Sequence, residues 1–188
     1  MIGIPLGMFY QNMGEWLIHK HLLHGRGKKK GSFWNFHFFE HHRASRTNDM
    51  IDDDYHRSLF GWHAQSKEAA AVLVATVAHL PLLPVAPFFY LTFAAGNLRY
   101  YRLHKKAHLD PAWAREHLPW HYDHHMGPNQ DANWCVTRPW FDNLMGTREP
   151  YVGTEREQKD LARRAAHRAK AAAAEQAGAT KTLASQAA

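Results

Sequence analysis

Apolar and polar positions fall in blocks along this chain. Residues 2–18 are apolar apart from one charge, Glu15, and from 69 to 98 there is no Asp, Glu, Lys or Arg. Pro81, Pro84 and Pro87 interrupt that second block. Proline lacks an amide hydrogen and its ring clashes with the preceding turn, so a helix cannot run through all three. The pattern predicts two helices, roughly 59–80 and 85–104, joined by a tight proline turn. Each is just long enough for ~30 Å of hydrocarbon. The expectation is a helical hairpin inserted in a membrane, with a buried hairpin in a soluble bundle as the alternative. Residues 2–18 fit either a further span or a buried or interfacial helix.

The other segments are more polar. "FWNFHFFEHHRASR" predicts a helix and "TNDMIDDDYH" an acidic connector. "MGPNQDANWCVTRPWFDNLMGTREPY" mixes Gly, Pro and Asn turn signals with aromatics, as in a folded loop with a short helix. Residues 155 to about 176 form a charged, alanine-rich helix without an apolar stripe, and the last dozen residues read as disordered. The expected fold is all-α: an integral membrane helical bundle over 1–154 with a cytosolic histidine-rich metal-binding cap, followed by the charged helix and tail of 155–188.

Composition adds chemistry to this outline. Sixteen of the 188 residues are histidine and one, Cys135, is cysteine. A single thiol excludes an intrachain disulfide, a cysteine-rich zinc site and an iron–sulfur cluster, so any metal must sit on nitrogen and oxygen. The net charge of +6 is concentrated in "GRGKKKG" and the C-terminal tail. Basic residues beside apolar segments mark a cytosolic membrane face, and no nucleic-acid motif accompanies them.

The histidines recur in four groups: His19 and His24; His37, His41 and His42; His104 and His108; His121, His124 and His125. On an α-helix, residues three and four apart share a face. That places His121, His124 and His125 together, His104 with His108, and His37 with His41. His42 is rotated away and suits a second metal beside the first. His19 and His24, five apart, straddle a face and suit different metals. Ten histidines exceed what one metal needs, and five per metal is a natural partition. Imidazole suits Fe, Zn, Cu and Ni alike. His21, His56, His63, His79, His117 and His167 lack this patterning and fall outside the ligand set.

These motifs resemble the fatty acid hydroxylase and sterol desaturase superfamily. The residues that carry the resemblance are "EWLIHKHLLH", "HFFEHH", "HKKAH", "HYDHH" and the closing "RPWFDNLMGTREPY", together spanning about residues 12 to 151. "HKHLLHG" and "HFFEHH" are also similar to carotenoid ring hydroxylases. The resemblance implies an integral membrane oxygenase whose ten grouped histidines hold two iron ions at the cytosolic surface, with zinc a possible occupant after purification. It implies O2-dependent hydroxylation or desaturation of a lipid such as a fatty acyl chain or sterol. Family members usually carry a further membrane helix ahead of the first histidine group, whereas 18 residues precede His19 here. No cytochrome b5-like domain is fused, so a separate ferredoxin- or cytochrome b5-like protein would supply electrons. A non-catalytic metal-binding membrane protein and an interaction protein are the other classes.

Glu15, Glu40, Asp123 and Asp142 are candidates for orienting the imidazoles. Phe36, Phe38, Phe39, Trp120 and Trp134 are candidates for lining a substrate channel, or for ordinary packing.

Overall fold

The computed structural model describes residues 2–186, with side chains described through residue 176. Every regular element among them is helical. The chain divides into two compact units, Met1–Pro150 and Tyr151–Ala188.

In the first unit, α1 (Gly3–Leu17) packs along α4 (Pro87–Leu109), and α3 (Ala64–Ala78) also packs on α4. The α1–α4 approach depends on glycine. A Cβ on Gly7 would stand 2.7 Å from the Phe89 carbonyl oxygen, and one on Gly96 would stand 2.8 Å from Cγ of Gln11. Any side chain there would push the helices apart.

Two segments widen from α-helical to π-helical winding: Ile18–Arg26, which continues α1, and Phe36–His42, which leads into α2 (Arg43–Thr47). The short helices α5 (Pro111–His117) and α6 (Pro119–Met126) each start with proline, whose missing amide costs nothing at a helix start. Asp110 caps α5 through the Trp113 amide at 3.0 Å. A loop over 127–139 then leads to α7 (Trp140–Leu144).

The membrane hairpin is not what these residues form. Among the described residues, no helix is long and apolar enough to cross a membrane. The first predicted arm begins at Ala64, not near 59, and ends at Ala78, giving 15 residues with Lys67 and Glu68 in its first turns. At 1.5 Å per residue that is about 22 Å, short of ~30 Å of hydrocarbon. The second arm has 23 residues, but Arg99, Arg102, Lys105 and Lys106 make its C-terminal half polar. Helix α1 also has only 15 residues. The expected integral membrane bundle, and the location of its metal site at the cytosolic side of a membrane, are therefore overturned; the all-α class stands. A 3₁₀ turn, Leu80–Leu82, carries the chain between α3 and α4 at the three prolines.

The second unit contains α8 (Glu155–Gln186). Thr154 caps it, accepting from the Glu157 amide at 3.2 Å, while the Glu157 carboxylate accepts from the Gly153 amide at 2.7 Å. The backbone helix reaches Gln186, ten residues past the expected end of the charged helix near 176. The segment read as disordered otherwise falls outside the described side chains.

Candidate metal centre

All ten grouped histidines are buried, each with at most 4% of its surface exposed. They come together from α1's extension, the second π-helical segment, α4 and α6. Two sets form. In the first, ligand atoms of His19, His24, His37, His42 and His124 all lie within 4.8 Å of one another; in the second, so do those of His41, His104, His108 and His125. His121 stands at the edge of the second set, its Nε2 3.2 Å from Nε2 of His108.

The partition differs from what α-helical spacing predicts, and the winding explains why. In a π-helix the hydrogen bonds run i→i+5, so residues five apart come round to the same side. His19 and His24 therefore share one set instead of straddling two. His37 pairs with His42, five residues on, and not with His41, which turns to the second set. In α6, His124 and His125 divide between the two sets, while His121 stays with His125. The three were expected to point together.

Most outer nitrogens are anchored. The Nδ1–H of His19 donates to the Trp134 carbonyl at 2.6 Å, that of His124 to the Ala132 carbonyl at 2.7 Å, and that of His108 to the Met50 carbonyl at 2.8 Å. A carbonyl can only accept, so each of these Nδ1 atoms carries the proton and each Nε2 presents a lone pair. His42 Nδ1 faces Gln130 Oε1 at 2.9 Å, His41 Nδ1 faces Asp52 Oδ2 at 2.7 Å, and His104 Nδ1 faces Glu68 Oε1 at 2.8 Å. His24 Nδ1 lies 3.4 Å from Asp131.

The backbone is shaped for these anchors. Met50 is fully buried at φ +79°, a left-handed conformation that costs about 1–3 kcal/mol in a residue with a side chain. Asn133, between the Ala132 and Trp134 carbonyls, has φ +59°, which asparagine tolerates better.

The inner nitrogens crowd one another. His19 and His37 Nε2 are 2.9 Å apart, and His24 and His124 Nε2 each lie 3.1 Å from that of His42. Nε2 of His41, His104 and His125 has no hydrogen-bond partner despite full burial. Lone pairs at such distances repel unless a positive charge sits among them. Protonation is opposed by the surroundings: burial, followed by neighbouring histidines, holds His24, His37, His42, His104, His121 and His125 well below the ordinary imidazole value. Burial also lowers His19 to about 4, against the Trp134 hydrogen bond that raises it. A metal ion is the charge that fits. Metal–imidazole bonds of about 2.0–2.1 Å would separate opposite nitrogens by about 4 Å, and the observed spread accommodates that. These buried histidine clusters can hold metal.

Of the four carboxylates expected to orient imidazoles, Glu15, Glu40 and Asp142 are engaged elsewhere. Glu15 accepts from the Val136 and Thr137 amides, both at 2.9 Å, and from the Thr137 hydroxyl at 2.6 Å. Asp142 accepts from the Trp134 and Cys135 amides, both at 2.8 Å. Both carboxylates fix the loop whose carbonyls hold His19 and His124. Asp123 pairs with Arg148 at 2.7 Å, and Glu40 lies 3.5 Å from Lys67. Asp52 orients His41 directly, while His104 Nδ1 bonds the Tyr55 hydroxyl at 2.9 Å and that hydroxyl donates to Glu68; sequence reasoning missed both carboxylates. Asp52 was one of three consecutive aspartates in a presumed connector, while Glu68 is the last charge before the apolar block, a signal that was legible. Burial raises Glu68 to about 8, against lowering hydrogen bonds from Tyr55 and Tyr100.

Histidines expected to lie outside the site do so. His79 bonds Tyr10 at 2.9 Å, His63 the Ser58 carbonyl at 2.9 Å, and His117 the Trp113 carbonyl at 3.1 Å.

A cavity of about 260 Å³ reaches the first set. Ile18, Leu22, Leu23, Trp34, Phe36, Val72, Ala75 and Phe93 give it apolar walls, and His19, His37 and Glu68 give it a polar end. Of the proposed channel aromatics, Phe36 alone lines it; Trp134 instead packs edge-on to His24 with centroids 4.9 Å apart. The lone thiol is not a ligand: Cys135 is buried beside Trp16 and Phe141, and burial raises its pKa further.

The chain matches no family model, no curated protein and no solved structure in the comparisons made.

Proposed function

We propose that this protein is an O2-dependent oxygenase with two iron ions, acting on an apolar, lipid-like substrate that it hydroxylates or desaturates. The observation that carries the reading is the contact between an apolar cavity and a buried, all-imidazole double cage. An apolar cavity alone describes any hydrophobic binder, and a histidine cage alone describes any metal carrier. Their junction at His19 and His37 would bring a C–H bond of a bound hydrocarbon beside a metal held in the cage. The resemblance of the four histidine motifs to the lipid hydroxylases supports the same reading.

Iron in the cage would supply the activation of O2 and the abstraction of hydrogen from an unactivated C–H bond. The first set would hold one ion and His41, His104, His108 and His125 the other, with His121 beside it. The rest falls to the protein's own side chains. Carbonyls and Asp52, Tyr55 and Gln130 fix the imidazole tautomers and orientations. Ile18, Leu22, Phe36, Val72 and Phe93 exclude water and hold the hydrocarbon. A separate protein would deliver electrons.

The test is a comparison of lipids from cells with and without the gene product, read by mass spectrometry. A gain of 16 or a loss of 2 mass units on one lipid class supports the reading. Ala75→Trp, which fills the cavity, should remove that change while leaving bound metal intact. Metal bound with no turnover of any lipid under reductant and O2 would assign the cage to storage or transport instead.

A further inference from the structure

A second cavity, of about 190 Å³, lies between α1, α4 and the start of α7. Its walls are Met8, Gln11, Asn12, Thr92, Ala95, Gly96, Arg99, Thr137, Arg138 and Trp140. Gln11 lines both cavities, but the two differ in chemistry. The first ends in imidazoles and a carboxylate. The second is lined by two arginines, the exposed Arg99 and the half-buried Arg138, and by no acidic residue.

Neither Arg99 nor Arg138 has a carboxylate partner among the described residues. The acids nearest in sequence are already occupied. Glu15 is taken by Val136, Thr137 and Gln11, and Asp142 by Trp134, Cys135 and Thr147. Arg138 is also held in place. Its guanidinium lies over the Trp140 ring, 4.8 Å from the centroid, and its carbonyl accepts from Asn12 Nδ2 at 2.8 Å. Ala95 and Gly96 line the cavity where α4 passes.

From these residues we infer that the cavity is a binding site for a phosphate group. Planar guanidinium donors match phosphate oxygens two at a time, and two such groups on one cavity with no competing carboxylate favour an anion. The volume is below the roughly 300–1,000 Å³ of a site for a whole drug-sized ligand. It therefore takes a head group and not an entire molecule. Two sources share that chemistry: free inorganic phosphate and the phosphate of a phospholipid. Trp140, exposed and in the cavity wall, provides apolar surface for what the phosphate is attached to. The site is independent of metal in the histidine cage.

The experiment is calorimetric titration of the full chain with inorganic phosphate and with monomeric dihexanoyl phosphatidate. Saturable binding is expected, with phosphatidate tighter. Arg99→Gln and Arg138→Gln should each weaken it at least about tenfold, the effect of losing one charge-assisted hydrogen bond. Arg102→Gln, an exposed change on α4 outside the cavity, should leave it unaltered. Equal affinity for both probes would still support the site and assign it to free phosphate. No saturable binding of either probe, or equal loss in Arg102→Gln, would overturn it.

Discussion

His41 and His42 are neighbours in sequence whose rings stand 86° apart, and each belongs to a different histidine set. One peptide bond thus joins the two halves of the cage. The geometry follows from the π-helical winding of Phe36–His42, which turns His42 onto the side of His37 and leaves His41 for α4 and α6. Single substitutions should therefore separate the halves. His42→Ala should release the metal of the first set and His41→Ala that of the second, each removing about half of the total bound metal as read by elemental analysis, with helix content unchanged by circular dichroism. Loss of all metal in both variants would mean that the sets are one site.

Asp52 should tune affinity without touching metal. Burial alone would raise its carboxyl, but the hydrogen bonds from His41 and from the Asp54 amide together hold it below the ordinary value. A charged acceptor on Nδ1 makes the opposite nitrogen a better ligand. Asp52→Asn keeps the shape and removes the charge. Metal affinity should fall about 10- to 100-fold in a competition titration against a chelator, and cavity-binding of an apolar fluorophore should not change.

Acid should destabilise the metal-free protein steeply. His19, His24, His37, His42, His104, His108, His121, His124 and His125 are all shifted down, with burial the first cause. A histidine lowered in the fold binds its proton more readily when unfolded. Its contribution is complete above about pH 6.5 and lost as pH falls from there toward the folded value, which for His19 is about 4. Each such residue adds about 1.4 kcal/mol per pH unit to the slope of stability. Urea midpoints measured from pH 8 to pH 5 should be flat above 7 and fall sharply below 6.5. Metal should raise the midpoint at pH 7 and progressively less toward pH 5, because protons compete for the same nitrogens. A midpoint independent of pH from 7 to 5 would contradict the buried neutral cage.

The limits of the sequence reading follow from particular residues. Which histidines are ligand candidates was legible, because their recurrence is unusual and all ten are buried together. How they divide was not, because the reading assumed α-helical spacing for His19–His24 and His37–His42, and winding is decided by tertiary packing. The helices around the proline turn were legible from composition. Their lengths were not: Lys67 and Glu68 are buried in the bundle, and the run beyond Leu98 carries charge on a continuing helix. An apolar average over that block suggested membrane spans that the element boundaries do not allow. Glu15 and Asp142 were legible as important carboxylates, but backbone amides across the loop claimed them.

That loop gives a stability prediction. Asp142→Ala would leave the buried Trp134 and Cys135 amides without their acceptor. Unsatisfied buried donors cost about 1–3 kcal/mol each, so a loss of at least about 2 kcal/mol is expected in chemical denaturation. Because the same loop carries the Trp134 and Ala132 carbonyls, metal should be lost preferentially from the first set. Full stability in this variant would show that the amides find other partners.

The most direct test of the central claim is the metal content of the purified chain after anaerobic loading with ferrous iron and removal of excess by gel filtration. The double imidazole cage predicts about two metal ions per chain, dropping to near zero when His42 and His125 are both replaced by alanine. Fewer than one ion per chain after loading, with the protein folded, would contradict it.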